Sequence, residues 1–242
     1  SRRKHLLVAF AVLLVIAFLV FLILSVTVLF PIKTVYAGGS AIYTQREIAD
    51  ACKLKNKNII LASEKSTEEI IRKELPYTDS VKIEKKFPDT VKITVKDARE
   101  YACYKIDLSY YIVSEKGYVL KKVISPRNEL IVIETSGVTC KVSEQVKFSD
   151  EKIKENTEKI LSVLESKKIK INKIDTTSAY SIKATVEDKY DVNFGFSSDL
   201  ESKCNHLVSM LDEINESGGG SIDLSGWTQT NRQGTFKKKS LH

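Results

Sequence analysis

Residues 74–95 read ELPYTDSVKIEKKFPDTVKITV, and this stretch decides the fold. Apolar side chains alternate with charged or polar ones on both sides of a Pro-Asp-Thr corner at residues 88–90. The apolar positions are Val81, Ile83, Val91, Ile93 and Val95. A period of two is typical of a strand with one face in the core and the other in water. The stretch therefore predicts an antiparallel hairpin.

One strand and two short helices are predicted before this hairpin. Residues 32–36 (IKTVY) have the composition of a short strand. Thr44 and Glu47 fit a capping box at the start of one helix. A second box at residues 66–69 begins another helix, which Pro76 ends. The order strand, helix, helix, strand, strand predicts a small α+β domain whose helices cover the apolar face of the hairpin.

The first thirty residues have a different character. Residues 6–30 contain no charged side chain, and as a helix they span about 37 Å, more than the ~30 Å hydrocarbon core of a bilayer. Three basic residues at positions 2–4 precede this run. The positive-inside rule therefore puts residues 1–5 in the cytoplasm and the chain after the transmembrane helix outside. The alternative is a signal peptide cleaved near Ala37, although its apolar core is normally only 7–15 residues long.

Residues 100–226 predict a second, mixed β-rich domain with two helices. The helices are expected at residues 149–168 and from Ser198, where Ser198 and Glu201 fit another capping box. The strands are expected at residues 110–113, 118–123, 130–134, 169–174, 180–186, 191–196 and 221–224. Residues 227–242 are rich in polar side chains and are expected to form a disordered C-terminal tail.

Charge and cysteine content limit the classes of binding site. The net charge is +7, from 38 Lys and Arg against 31 Asp and Glu. A solvated lysine-rich surface explains this charge, and attraction to an anionic wall or lipid surface is the alternative. The four cysteines are far apart and lie in apolar patterns, which favours buried thiols over metal ligands or disulfides. They are Cys52, Cys103, Cys140 and Cys204. No cofactor, metal or nucleic-acid site is predicted.

One motif invites a catalytic interpretation. Ser149 and Lys152 fit S-x-x-K, the acylating motif of penicillin-binding proteins. That chemistry also needs S-D-N and K-T-G elements, and the sequence contains neither. A serine followed by two acidic residues at the start of a helix is typical of an N-cap. The sequence therefore predicts neither a catalytic residue nor a small-molecule substrate.

Several stretches, taken in order, resemble the FtsQ/DivIB family of bacterial cell division proteins. They are residues 35–38 (VYAG), 75–77 (LPY), 87–91 (FPDTV), 111–120 (YIVSEKGYVL), 194–196 (FGF), 199–203 (DLESK) and 220–224 (GSIDL). The resemblance implies a single-pass membrane protein with its anchor at residues 6–30, a POTRA domain at residues 31–99 and a β domain at residues 100–226. The N-terminus would be cytoplasmic and both domains extracytoplasmic.

The resemblance also implies a function and its partners. The protein would be a non-enzymatic scaffold at the division septum that organises septal peptidoglycan synthesis. Its partners would be FtsB/DivIC-like and FtsL-like bitopic proteins and the septal wall synthase complex. Two other interpretations stay open. One is a POTRA-bearing component of secretion or sporulation, and the other is a membrane-anchored cell-wall enzyme.

The candidate binding residues come from the last predicted strand. An exposed strand presents backbone N–H and C=O groups that a partner strand can satisfy, and the resemblance implies that the last strand of the β domain is used in this way. The candidates are Ser221, Ile222, Asp223, Leu224 and Ser225, with Trp227 as an apolar anchor. An ordinary strand that pairs only within its own sheet, followed by a core tryptophan, is the alternative.

Overall fold

The computed structural model describes residues 10–21, 30–126, 129–178, 180–214, 219–228, 230–231 and 233–239. The chain divides into two compact units, Ser1–Ala98 and Arg99–His242. Residues 10–21 form a helix, α1. Within the described ranges, no helix combines the length and the apolar character that crossing a membrane requires. The predicted transmembrane helix at residues 6–30 extends on both sides of α1 into residues that lie outside these ranges.

After α1, residues 30–98 of the first unit form a three-stranded sheet with two helices. Its elements are β1 (Thr34–Gly38), α2 (Gln45–Ala51), α3 (Glu64–Glu74), β2 (Thr78–Lys86) and β3 (Thr90–Asp97). The strand order is β1-β3-β2, with β1 parallel and β2 antiparallel to β3. The hairpin pairs Val81 with Val95 and Ile83 with Ile93. The predicted order of strands and helices is confirmed.

Local hydrogen bonds explain where the helices of the first unit begin. The N–H of Glu47 donates to the Thr44 hydroxyl, and the N–H of Thr44 donates to the Glu47 carboxylate at 2.7 Å, so the predicted capping box is confirmed. The predicted start of α3 at Ser66 is wrong. Ser63 is the N-cap, because its hydroxyl oxygen accepts from the N–H of Ser66 at 3.3 Å. α3 ends at Glu74, before Pro76 as predicted.

The core of the first unit lies between the helices and one face of the sheet. Ile48 of α2 and Ile71 of α3 are completely buried, as are Val91 and Ile93 of β3. Full burial of an aliphatic side chain contributes about 1.5–3 kcal/mol. The alternation that predicts the hairpin therefore also identifies its buried face, since Val81 and Val95 belong to the same cluster.

The second unit is built on a nine-stranded sheet with the order β14-β13-β12-β11-β10-β7-β4-β5-β6. The elements before its first helix are β4 (Ala102–Ile106), β5 (Ser109–Val113), β6 (Val119–Val123), β7 (Ile131–Thr135), β8 (Val138–Thr139) and β9 (Lys147–Phe148). Next come α4 (Glu151–Ser166), β10 (Ile171–Ser178), β11 (Ser181–Val186), β12 (Tyr190–Gly195) and α5 (Leu200–Glu213). The last two strands are β13 (Gly220–Asp223) and β14 (Thr235–Lys238).

One face of this sheet packs against α4 and α5. A row of residues in register crosses five strands on that face: Ile174, Ala184, Val192, Ile222 and Phe236. The helices contribute Ile160, Leu164, Leu200, Cys204 and Leu207 to the same cluster. Cys52, Cys103 and Cys204 are buried free thiols and Cys140 is half-buried, in agreement with the prediction of buried thiols.

The helix starts of the second unit differ from the predictions. Asp150, and not Ser149, is the N-cap of α4, because its carboxylate accepts from the N–H groups at 152 and 153. The predicted box at Ser198 is also wrong. α5 follows Asp199, which has a left-handed φ of 52° and makes no side-chain capping bond. The ammonium of Lys203 stabilises this corner instead, since it donates to two carbonyls at 194 and 196.

The tail is not wholly disordered as expected. Residues 235–238 form β14, which pairs antiparallel with β13. Phe236 accounts for this order, because its ring is half-buried and packs edge to face on Tyr190 at a centroid distance of 6.3 Å. Phe236 thus joins the added strand to the apolar cluster of the second unit.

Candidate strand-edge interface

The residues predicted to bind a partner lie inside the sheet. Residues 221–223 belong to β13, which has β12 on one side and β14 on the other. The N–H groups of Gly220 and Leu224 donate to the carbonyls of Lys189 and Asn193. Because successive N–H groups of a strand point to opposite sides, the N–H of Ile222 also points toward β12. The prediction that this strand is an open edge is wrong.

The residues predicted to bind a partner also differ in the burial of their side chains. Ile222 and Leu224 are buried in the core, and Ser221, Asp223 and Ser225 are exposed. Ser225 donates its backbone N–H to Asp223 at 2.8 Å, and hydrogen bonds from Ser225 hold the pKa of that carboxyl below its usual value.

Trp227 is a core residue. Only 6% of its surface is exposed, and it belongs to the same cluster as α5. Its ring lies 6.3 Å from that of His206, measured between centroids. Because its surface is covered within the unit, Trp227 has little area left to offer a partner, and its burial agrees with the alternative of a core tryptophan.

The edge strand at this end of the sheet is β14. In the described part of the chain, β13 is its one strand neighbour. The N–H of Lys239 donates to the carbonyl of Gly219 at 3.2 Å. Hydrogen-bonded and non-hydrogen-bonded pairs alternate along antiparallel strands, so Lys237 also directs its backbone groups toward β13. Phe236 then directs its backbone N–H and C=O away from β13, toward the open side.

The second face of the sheet, opposite the helices, is polar and forms a groove of about 390 Å³ that reaches β14. Cross-strand pairs include residues that line it. Lys173 contacts Glu134 at 2.6 Å, and the Thr185 hydroxyl donates to Asp191 at 2.8 Å. Lys237 of β14 also lines the groove. A strand added beside β14 would therefore place alternate side chains along this polar face.

The edge of β2 is closed by side chains of α3. The N–H of Ile83 donates to the Glu64 carboxylate at 3.0 Å, and the N–H of Val81 donates to the Glu68 carboxylate at 3.3 Å. The Arg72 guanidinium donates to the carbonyls of Thr78 at 3.1 Å and Asp79 at 3.2 Å. Because these groups already have partners, an added strand would have to displace α3 side chains. β2 is therefore a poor acceptor for another chain.

The other edges differ in how far they are covered. At the start of β6, the N–H of Val119 donates to Glu144 and its carbonyl accepts from Ser143, both at 2.9 Å. This loop covers part of the edge. β1 has β3 as its one strand neighbour within the described residues. β1 and β14 are therefore the two edges that the described elements leave most accessible.

The S-x-x-K motif does not assemble a nucleophile and base. The Ser149 hydroxyl donates to the carbonyl of Gly137 at 3.1 Å. The ammonium of Lys152 lies 4.6 Å from the ring centroid of Tyr180. Each side chain thus has its own partner. The described residues also contain no group of three or more His, Cys, Asp or Glu side chains that could hold a metal ion.

Sequence reasoning missed β14, the strand that forms the edge. The available signal was short: Phe236 lies between Thr235 and Lys237, two residues after Gly234. Alternation over three residues is too short to distinguish a strand from a polar tail.

Comparison with known proteins identifies both units. A family model described as POTRA domain, FtsQ-type, matches residues 30–97. A second, described as Cell division protein FtsQ/DivIB, C-terminal, matches residues 102–225 and so ends before β14. Cell division protein DivIB of Clostridium botulinum strain Hall is 27% identical over 204 residues, covering 81% of this chain and 78% of that protein. Cell division protein DivIB of Clostridium acetobutylicum is 27% identical over 190 residues, covering 75% and 74%.

Proposed function

This chain belongs to the FtsQ/DivIB family of cell division proteins, and from that premise we propose that it is a non-enzymatic divisome scaffold. It binds FtsB/DivIC-like and FtsL-like bitopic proteins outside the membrane and organises septal peptidoglycan synthesis. The apolar run at residues 6–30 supports a single-pass anchor with a cytoplasmic N-terminus.

The proposed binding mode is the addition of a partner strand to β14. The observation that carries it is the position of β14 at the end of the sheet, with the backbone of Phe236 directed to the open side. An added strand satisfies these groups, and each net hydrogen bond contributes about 0.5–1.5 kcal/mol. The residues of β13, which include Ser221 and Asp223, contribute indirectly, because they pair with β14 and hold it in register.

The charge of the edge indicates the chemistry of the partner strand. Lys237 and Lys238 lie in β14, and Lys239 follows directly. Lysines on an edge strand oppose self-association, while a strand with acidic side chains would be attracted to them. We therefore expect a partner segment with Asp or Glu at alternate positions, and association that slows as ionic strength rises.

An amide-to-ester substitution at residue 236 tests this mode. The α-hydroxy analogue of Phe236 removes the outward N–H and keeps the ring. Binding to the outer segment of the DivIC-like partner is expected to weaken roughly fivefold or more, because the partner carbonyl loses its donor. A comparison variant carries an ester at Lys237, whose N–H points inward to β13. It should speed hydrogen exchange of β14 in the free protein. Unchanged affinity with the residue 236 ester would refute the assignment.

Localisation separates the division role from secretion and sporulation. A fluorescent fusion of the full chain is expected to form a ring at mid-cell in dividing cells. Uniform membrane fluorescence, or fluorescence confined to the forespore, would contradict the divisome assignment.

A further inference from the structure

An apolar patch lies at one end of the first unit, where residue 30 enters the domain. Phe87, at the hairpin corner, is 60% exposed, and Leu61 is 74% exposed. Ile60 beside it is 43% exposed. The ring of Phe30 packs edge to face on that of Phe87, with 6.2 Å between centroids. We call residues Phe30, Ile60, Leu61 and Phe87 the corner patch.

Backbone contacts hold the parts of the corner patch together. The N–H of Ile59 donates to the carbonyl of Phe30 at 3.0 Å, which attaches the loop before α3 to residue 30. The ammonium of Lys85 donates to the carbonyl of Ile60 at 2.9 Å, which attaches the same loop to β2. The patch is therefore a surface that the fold builds from three segments.

Lysines surround the patch. Lys57, Lys85 and Lys86 are exposed, and the N–H of Ile32 donates to the carbonyl of Lys57 at 2.8 Å, which places that residue near the chain entry. Lys33 is also exposed and pairs with Asp89 at 3.3 Å. An apolar surface with a cationic rim matches the interface of an anionic bilayer, in which aromatic and aliphatic side chains insert among the headgroups and lysines meet the lipid charge.

Continuity with the apolar run indicates what covers this patch. Residues 6–30 carry no charge and end at Phe30, and Phe30 is itself part of the patch. If the run spans the membrane, as the proposed function states, the chain leaves the bilayer beside Phe87 and the loop that carries Leu61. We propose that the corner patch docks on the headgroup region of the anionic bilayer that holds the protein's own anchor.

Tethering makes such docking effective. Because the anchor keeps the patch at the surface, docking is an intramolecular step with a high effective concentration, and a surface too weak to bind vesicles alone is still occupied. Docking would restrict the orientation of the first unit relative to the bilayer. This inference rests on the proposed membrane anchor and goes beyond the partner strand at β14.

Depth-dependent fluorescence quenching tests the docking. The full chain is reconstituted in phosphatidylglycerol-containing vesicles with an environment-sensitive fluorophore at Leu61→Cys. The matched control carries the fluorophore at Ile42→Cys. Ile42 is 51% exposed and lies near Asp97, at the end of the sheet away from the hairpin corner. Lipids labelled at the headgroup level are expected to quench residue 61 several-fold more strongly than residue 42.

The outcomes separate this inference from the proposed function. If the chain does not float with the vesicles, the anchor and the docking both fail. If it floats but residues 61 and 42 are quenched equally, docking alone is overturned. Quenching or shielding of residue 61 that appears only when the partner's outer segment is added would assign the patch to a protein and also overturn the proposal.

The charge requirement supplies a second measurement. Lys57→Gln and Lys86→Gln are expected to weaken the docking equilibrium in anionic vesicles about fivefold for each lysine. In phosphatidylcholine vesicles the same substitutions should have no effect. Equal effects in both lipids would show that the lysines act on folding and not on lipid charge, and would overturn the choice of an anionic surface.

Discussion

Phe236 lies directly opposite Ile222 across the β13–β14 pair, and this contact makes the C-terminal tail part of the sheet. The ring of Phe236 also reaches Tyr190 on β12. The strand that was expected to be the edge is thereby enclosed, and the edge moves one strand outward. Partner binding and the docking of the tail should therefore be coupled.

Gly220→Ala is predicted to detach β14. A Cβ at this position would lie 2.4 Å from the Lys237 carbonyl oxygen and 2.4 Å from the Phe236 ring, and backbone cannot move aside at low cost. Hydrogen exchange at Lys237 and Lys239 should accelerate at least tenfold, and partner affinity should fall. Gly226→Ala is the control, because a Cβ there meets no atom within 4 Å. Equal exchange in both variants would contradict the described packing.

Arg72→Lys is predicted to destabilise the first unit by about 1–3 kcal/mol. Arg72 is buried and donates to Glu68 and to two carbonyls of β2, and a lysine cannot reproduce the planar fork. Urea denaturation measures the loss of unfolding free energy. Arg46→Lys is the control, since the Arg46–Asp50 pair is exposed and should contribute little. A loss at Arg46 as large as that at Arg72 would contradict this role.

Stability is predicted to fall above pH 9. Burial raises the pKa of the Cys103 thiol from 9.0 to about 11 and that of Cys204 to about 12. Because the folded-state pKa is raised, the contribution of each thiol to folding stability is complete below pH 9. It is lost as the pH rises through the folded-state pKa. Between pH 9.5 and 10.5, Cys204→Ala should reduce the slope of unfolding free energy by about 1.4 kcal/mol per pH unit. An unchanged slope in urea denaturation would show that this thiol does not contribute.

Lys203→Met is predicted to destabilise the second unit by about 1–3 kcal/mol. The buried ammonium donates to the carbonyls of Phe194 at 2.8 Å and Phe196 at 2.9 Å, and the methionine would leave both acceptors without this donor. Urea denaturation of the full chain measures the loss. The control is Lys183→Met, on the exposed polar face. Destabilisation of similar size in the control would contradict the assigned role of Lys203.

Periodicity predicts the hairpin of the first unit, and capping residues predict one of its two helix starts, that of α2 and not that of α3. The alternation at Val81, Ile83, Val91, Ile93 and Val95 identifies both the hairpin and its buried face. The capping box at Thr44 is correct because its two bonds are local and close within four residues. The capping signal is read directly from the sequence because its bonds join near neighbours, and the hairpin is read from the alternation itself.

Contacts between distant residues explain what sequence reasoning missed. Ser149 and Asp150 are both suitable caps, and the choice falls on Asp150 while the Ser149 hydroxyl donates to Gly137, twelve residues earlier in the chain. β14 forms because Phe236 finds Tyr190, which lies two strands away in the sheet. The candidate edge was misplaced for the same reason, since a four-residue strand in a polar tail has no local signal of its own.

Backbone amide exchange at Phe236, followed by NMR with and without the outer segment of the DivIC-like partner, tests whether β14 accepts the partner strand. We predict that this amide, which points to the open side of β14, becomes protected on binding, while the inward amide of Lys237 is protected in both states. Protection that develops instead at Val35 and Ala37 of β1, with Phe236 unchanged, would contradict the claim that β14 accepts the partner strand.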